Sequence, residues 1–259
     1  MGKNRVVILG SGTVVPSLRR STCSVLIERG RTKLVLDLGA GTMRRLLEAG
    51  VRISEVTQIL FSHFHPDHTG EFVSFLFATK YPENLRRRTP FRIVGAPGLR
   101  DLYEKLKGAY GDWIVLEEGL MEIVELSNAG PDRCSAGELE IVSLPMNHIT
   151  SSLGYRVRFP GGFSVAYSGD TDYCENLVRL AEGTDLFICE SAFPDDQKVS
   201  GHLTPSLAGE IATRAGVKRL VLTHFYPECD DADIEGQCRK SYTGRLDPAQ
   251  DLMSFDVPP

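Results

Sequence analysis

Long apolar runs are missing from this 259-residue sequence. No stretch approaches the roughly 20 consecutive apolar residues that an α-helix needs to cross a bilayer, so a helical membrane protein is not expected. The N-terminal MGKNRVVILGSG holds only a four-residue apolar run before glycine, too short for the core of a secretory signal. Cysteine is sparse and unpatterned. Cys23, Cys134, Cys174, Cys189, Cys229 and Cys238 form no CxxC pair and no framework spacing, and Cys189 sits in an apolar run that should bury it. Reduced thiols in a cytoplasm are the simplest account. Excess positive charge is also absent: the net charge of -5 lacks the basic field that accompanies stable nucleic-acid binding, and a small or locally gripped substrate fits better. The one basic stretch, NLRRRTPFR at 84–92, reads as a solvated surface face rather than a phosphate grip. There is no low-complexity linker and no short-period repeat, so residues 1–259 are expected to form one domain built from two similar halves.

What the chain does have is a series of short runs rich in β-branched residues. RVVILG, SVLIE, KLVLDLG, QILFSH, FRIVG, LEIVSLP, GYRVRF, FSVAYSGD, DLFICES and RLVLTH read as strands. Helical patterns lie between some of them, at 41–50, 69–81, 98–110, 175–183 and 204–216. The last of these has Thr204 as N-cap, Pro205 as first helical residue and Gly216 as stop. Strands and helices in this order suggest two sheets covered by helices on their outer faces, an α/β (α+β) class.

Half of the six histidines fall within FSHFHPDHTG at 61–70. This segment follows the strand QILF and precedes a helix, which places it on a strand-to-helix loop. In such a loop His63 and His65 can project toward one point while Asp67 and His68 turn toward a neighbouring one, giving ligands for two metal ions. Imidazole and carboxylate suit zinc, manganese or iron. The other histidines also sit at element ends: His148 follows LEIVSLPMN, His224 ends RLVLTH and His202 precedes a helix in GHLT. Asp170 leaves the strand FSVAYSG in a glycine-softened turn, where a carboxylate could bridge two metals.

These motifs together resemble the metallo-β-lactamase-fold hydrolases, and most closely their ribonuclease Z-like and small phosphodiesterase branch. The resemblance rests on HxHxDH at His63, His65, Asp67 and His68, NHxxxxLGY at His148, GDT at Asp170, GHLT at His202 and LTH at His224. LGSGTVVPSLRRSTCSVLIE and KLVLDLGAGT look like that branch too. It implies a four-layer αββα sandwich with two divalent metals at the edge where the sheets meet. His63, His65 and His148 would hold the first ion, Asp67, His68 and His224 the second, and Asp170 would bridge them. Asp37, in LVLDLG, would orient the ligand loop or serve a structural turn.

The chemistry so implied is hydrolysis of a small ester, most readily a phosphodiester, by a hydroxide held between the metals, with Asp67 aiding its orientation. His202 would face the scissile phosphate and assist the leaving oxygen, and Glu190, in ICESAF, would orient His202 or else be a strand-end charge reaching solvent. Sulfate-ester, lactone, thioester or β-lactam hydrolysis is the alternative on the same fold, and transfer-RNA 3′-processing another. Against processing, only 22 positions separate His148 from Asp170, leaving no room for the protruding arm that grips transfer RNA. FYPECDD after His224 also lacks the serine and Arg-Tyr pair of processing enzymes. An oxygen-reducing di-iron protein is disfavoured because such relatives carry glutamate where His65 stands. A non-catalytic member is disfavoured because every ligand type is kept. Relatives often dimerise, so the resemblance also implies a homodimer.

Overall fold

Alternation of buried side chains in the first strand shows how the layers are built. Val6 and Ile8 of β1 (Asn4–Gly10) join the apolar core between two sheets, while Val7 and Leu9 point the other way, into a core shared with helices. This is the period-two signature of a strand buried on both faces. The structure is a computed structural model describing residues 4–83 and 86–258; the first two residues of the basic stretch at 84–92 lie outside them.

The first sheet runs on through β2 (Ser24–Arg29), β3 (Thr32–Leu36), β4 (Gln58–Leu60), β5 (Phe91–Gly95) and β6 (Met121–Glu125). The second holds β7 (Asp132–Ala136), β8 (Leu139–Pro145), β9 (Leu153–Arg158), β10 (Ser164–Tyr167), β11 (Leu186–Glu190), β12 (Arg219–Thr223) and β13 (Arg245–Pro248). A last strand, β14 (Ser254–Asp256), returns to the first sheet and pairs antiparallel with β1. The orders are β14-β1-β2-β3-β4-β5-β6 and β13-β12-β11-β10-β9-β8-β7. Counted from β14 in the first sheet and from β7 in the second, three antiparallel pairings are followed by three parallel ones. The two halves therefore match strand for strand only because β14 crosses back to supply the first sheet's seventh member.

Parallel neighbours need crossover connections, and helices supply them. In the first half these are α1 (Thr42–Glu48), α2 (Pro66–Thr69), α3 (Phe72–Lys80) and α4 (Leu99–Tyr110). Leu46, Phe72, Phe75, Leu76, Leu99 and Tyr103 cover one face of the first sheet, against Val35, Ile59 and Ile93. In the second half α5 (Glu175–Ala181), α6 (Pro205–Ala215) and α7 (Ile234–Arg239) do the same, with Leu177, Leu180, Ile211 and Ala212 packed into the larger core. The result is the four-layer αββα sandwich.

All ten runs read as strands are strands. Four more, β6, β7, β13 and β14, and the helices α2 and α7 were not expected. The site segment is one turn of helix rather than loop from Pro66 to Thr69, because Pro66 at the first helical position presets its backbone angle and His65 takes the cap. Gly216 ends α6 in the left-handed region at φ 63°, as its lack of a Cβ allows. Thr204 occupies the cap position but its hydroxyl makes no cap bond; Asp195 instead accepts the Ser206 N–H at 3.0 Å.

Candidate metal centre

Asp37 leaves β3 in the left-handed region, at φ 60°, which a non-glycine residue adopts only when its surroundings hold it there. Four donors do so. Its fully buried carboxylate accepts the Ser62 N–H at 2.6 Å, the Ser62 hydroxyl at 2.8 Å, His68 Nδ1 at 2.8 Å and the Tyr167 hydroxyl at 2.7 Å. This buried carboxylate thus ties the end of β3 to the segment after β4, to α2 and to β10 of the opposite sheet. It fixes a proton of His68 on Nδ1 and turns Nε2 toward the site, where a cation could replace any proton it carries.

That nitrogen lies 3.2 Å from Asp170 Oδ1. Asp170 itself is presented by Gly169, whose φ of 57° and whose absent Cβ, which would stand 2.6 Å from Ser62 Cβ, let the β10 turn pass against the histidine segment. His224 Nε2 is 3.3 Å from the same oxygen and 3.7 Å from Asp67 Oδ2. His63 Nε2 is 3.7 Å and His148 Nε2 4.0 Å from Asp170 Oδ2, and His65 Nδ1 is 3.2 Å from His148 Nε2. His148 Nδ1 donates to Gly201 O at 2.9 Å, which frees its Nε2.

Ligand atoms of His63, His65, His148 and Asp170 lie within 4.8 Å of one another, as do those of Asp67, His68 and His224. All seven residues singled out in the sequence as metal ligands are brought together, with Asp170 falling in the first of these groups and not in the second. A third such group, Asp170, His202 and His224, overlaps both.

The donor set fits divalent cations. His63 Nε2, His68 Nε2, His224 Nε2 and Asp170 Oδ1 are buried with no hydrogen-bond partner, and each such orphan costs about 1–3 kcal/mol unless something satisfies it. Burial, aided by His68, pushes His63 well below the usual histidine range, so its lone pair is free. Burial opposes charge on His68, yet the Asp170 and Asp37 carboxylates outweigh it and raise that group well above its ordinary value. Burial would likewise raise Asp170 and Asp67, but His224 and His68 hold Asp170 well below the carboxylate range and bring Asp67 to about 2. The cavity concentrates anionic oxygen and demands positive charge.

His202 stands beside these groups, its ring stacked on His224 with centroids 5.6 Å apart. Its Nδ1 meets Glu190 Oε1 at 3.0 Å. Glu190 is 1% exposed and also accepts the Thr171 and Leu203 N–H groups at 2.7 and 3.0 Å. The solvent-reaching reading of Glu190 is therefore overturned: at the end of β11 its side chain turns inward. Burial raises the Glu190 carboxyl. His202 is raised too, since Glu190's bond and charge outweigh burial. Ser62, Tyr167 and Asp172 were not anticipated. Asp172 accepts the Gly201 N–H at 3.0 Å and so anchors the His202 loop. Ser62 lay within the histidine segment and could have been suspected; Tyr167, inside an apolar strand, gave no signal.

Between His148 and Asp170 the chain forms only the β9–β10 hairpin, closed by Phe159 N–H to Phe163 O at 2.8 Å. No arm projects there.

Residues 34–225 match the β-lactamase superfamily domain. An uncharacterized protein of Mycobacterium tuberculosis is 32% identical over 262 residues, 98% of this chain and 92% of the relative. A ribonuclease Z of Methanothermobacter thermautotrophicus is 27% identical, covering 97% of this chain and 96% of its own length. That alignment spans 303 positions against the 259 residues here, so the ribonuclease carries segments this chain lacks. The solved metallo-β-lactamase-fold protein YhfI from Bacillus subtilis superposes with a TM-score of 0.82 at 23% identity, covering 97% of this chain and 99% of its own.

Proposed function

This chain belongs to the β-lactamase superfamily, and on that premise we propose that it is a dinuclear metal-dependent phosphodiesterase of small or cyclic phosphodiesters. His63, His65 and His148 would hold one ion, Asp67, His68 and His224 the other, and Asp170 both. Imidazole-rich ligation favours zinc, with manganese or iron as alternatives. Two divalent ions so held supply Lewis acidity that brings water's pKa toward neutrality and neutralises phosphate charge.

The observation that carries the phosphodiester reading is His202 on Glu190. With Nδ1 held by the carboxylate, Nε2 is the nitrogen left to give a proton to the leaving oxygen, and Glu190 keeps the ring charged to higher pH. Asp67, ionised by its neighbours, can accept a hydrogen bond from the attacking water and orient it. Lactones need less help of this kind, because their leaving oxygen stays tethered.

Transfer-RNA 3′-processing is the second reading, favoured by the ribonuclease Z similarity. The short β9–β10 turn and the charge of -5 argue for small substrates instead. We also assign the whole chain to one functional domain. No helix among the described residues is long and apolar enough to cross a membrane, and six unpaired thiols suit a reducing cytoplasm. A homodimer is expected by analogy.

The test is a substrate panel on the metal-reconstituted protein: bis(p-nitrophenyl) phosphate, a cyclic nucleotide, a lactone, a sulfate ester and a transfer-RNA precursor. Diester hydrolysis supports the proposal. Activity confined to lactones or sulfate esters, or efficient site-specific cleavage of the precursor, overturns it.

A further inference from the structure

Tyr226 lies two residues beyond His224 and is fixed from several sides. Its N–H donates to Ala192 O at 3.1 Å, tying the segment after β12 to that after β11. Its ring stacks on Phe193 with centroids 4.3 Å apart and planes 18° from parallel. The same ring meets those of His224 and His202 nearly edge-on, at 6.1 and 6.4 Å. The ring is thus clamped against the rim of the metal centre, beside the proposed proton donor.

The residue is half-buried, and its hydroxyl has no hydrogen-bond partner among the described residues, which leaves it open to a ligand at the rim. A phenol is protonated at neutral pH, so this hydroxyl is a neutral donor. The cations of the surrounding loops are engaged elsewhere: Lys198 pairs with Asp172 at 2.8 Å and Arg20 with Asp230 at 2.9 Å. The residues after Tyr226 add only acid, at Glu228, Asp230 and Asp231. An anionic group entering this site therefore meets no free arginine or lysine from these loops, and a neutral O–H can bond it without the desolvation that a charged side chain would require.

We propose that Tyr226 is a substrate-contacting residue whose hydroxyl donates a hydrogen bond to a phosphate oxygen of the bound diester, next to His202. The assignment rests on the phosphodiester reading and names the protein group that grips the anion. Phe193 is its positioning residue, since the stack holds the phenol in place.

Tyr226→Phe keeps the ring and the stack and removes only the hydroxyl. Wild type and variant, both reconstituted with zinc, would be titrated calorimetrically with inorganic phosphate. Zinc content and thermal midpoint should be unchanged, and phosphate affinity should fall about 10- to 100-fold, the range for one hydrogen bond to a charged group. For bis(p-nitrophenyl) phosphate, kcat/KM should fall by a similar factor. Phosphate affinity within twofold of wild type, absence of phosphate binding in the wild type, or loss of zinc from the variant overturns the proposal. If the wild type hydrolyses only lactones or sulfate esters, the phosphodiester reading fails while the phosphate titration still decides the role of Tyr226.

Discussion

The hydroxyl of Tyr167, on β10, donates to the carboxylate of Asp37, at the end of β3, at 2.7 Å and across 130 positions of sequence. The bond joins the two sheets directly behind His68, whose Nδ1 bonds the same carboxylate oxygen. Tyr167→Phe should leave the fold intact but loosen this anchor. We expect a loss of about 1–3 kcal/mol in urea unfolding, as for a hydrogen bond to a buried charged group. Affinity for the ion held by His68 should weaken about 10- to 100-fold, the usual effect of removing a group that orients a ligand. Competitive zinc titration reads the second quantity, and an unchanged affinity would detach Tyr167 from the site.

Removal of the metals should destabilise the protein. Ions that bind only the folded state at 1,000 times their dissociation constant contribute about 4 kcal/mol, so a chelator should lower the thermal midpoint and excess zinc restore it. Elemental analysis should give two ions per chain. Fewer than one after reconstitution with excess zinc or manganese would count against a dinuclear centre.

His202→Ala should retain both ions yet lose roughly 10²- to 10⁴-fold in kcat, the worth of a positioned general acid. Asp67→Ala, by contrast, should lose an ion as well as activity. Metal loss in the His202 variant would make His202 a ligand through its group with Asp170 and His224, and refute the acid role.

The rate should also depend on pH through Glu190. This carboxylate raises His202, so the protonated form persists to higher pH and is lost as pH rises through that raised value. Glu190→Gln keeps a hydrogen-bonding oxygen but removes the charge. The alkaline limb of the kcat profile should therefore move to lower pH. A limb that stays in place would mean that His202 is not the group that titrates.

The strands readable from sequence were the ten interior ones, and the four that escaped, β6, β7, β13 and β14, are the four sheet edges. The reason is physical. Most interior strands here are covered on both faces, and all are flanked on both sides, so they read as β-branched runs such as LVL or RLVLT. An edge strand tolerates polar and small residues, as in DRCSA or SFD, which blunt pairing with other chains. At the site, the seven ligand candidates were legible because few other roles put histidine and aspartate at so many strand ends. The inward turn of Glu190 was not, since ICESAF does not say on which side of the backbone its carboxylate falls. Tyr167 was hidden for the opposite reason: its ring belongs to the core and only its oxygen to the site.

β14 has a consequence for synthesis. Arg5, Val6 and Val7 wait for Asp256, Phe255 and Ser254, so the outer edge of β1 stays unpaired on the ribosome until β14 has been made. Through all of that time an apolar VVIL segment offers its backbone to any neighbouring nascent chain. Crowded translation should therefore threaten this protein more than dilution from denaturant does, and a truncation that removes only the final strand should appear first as aggregation in the cell rather than as lost catalysis.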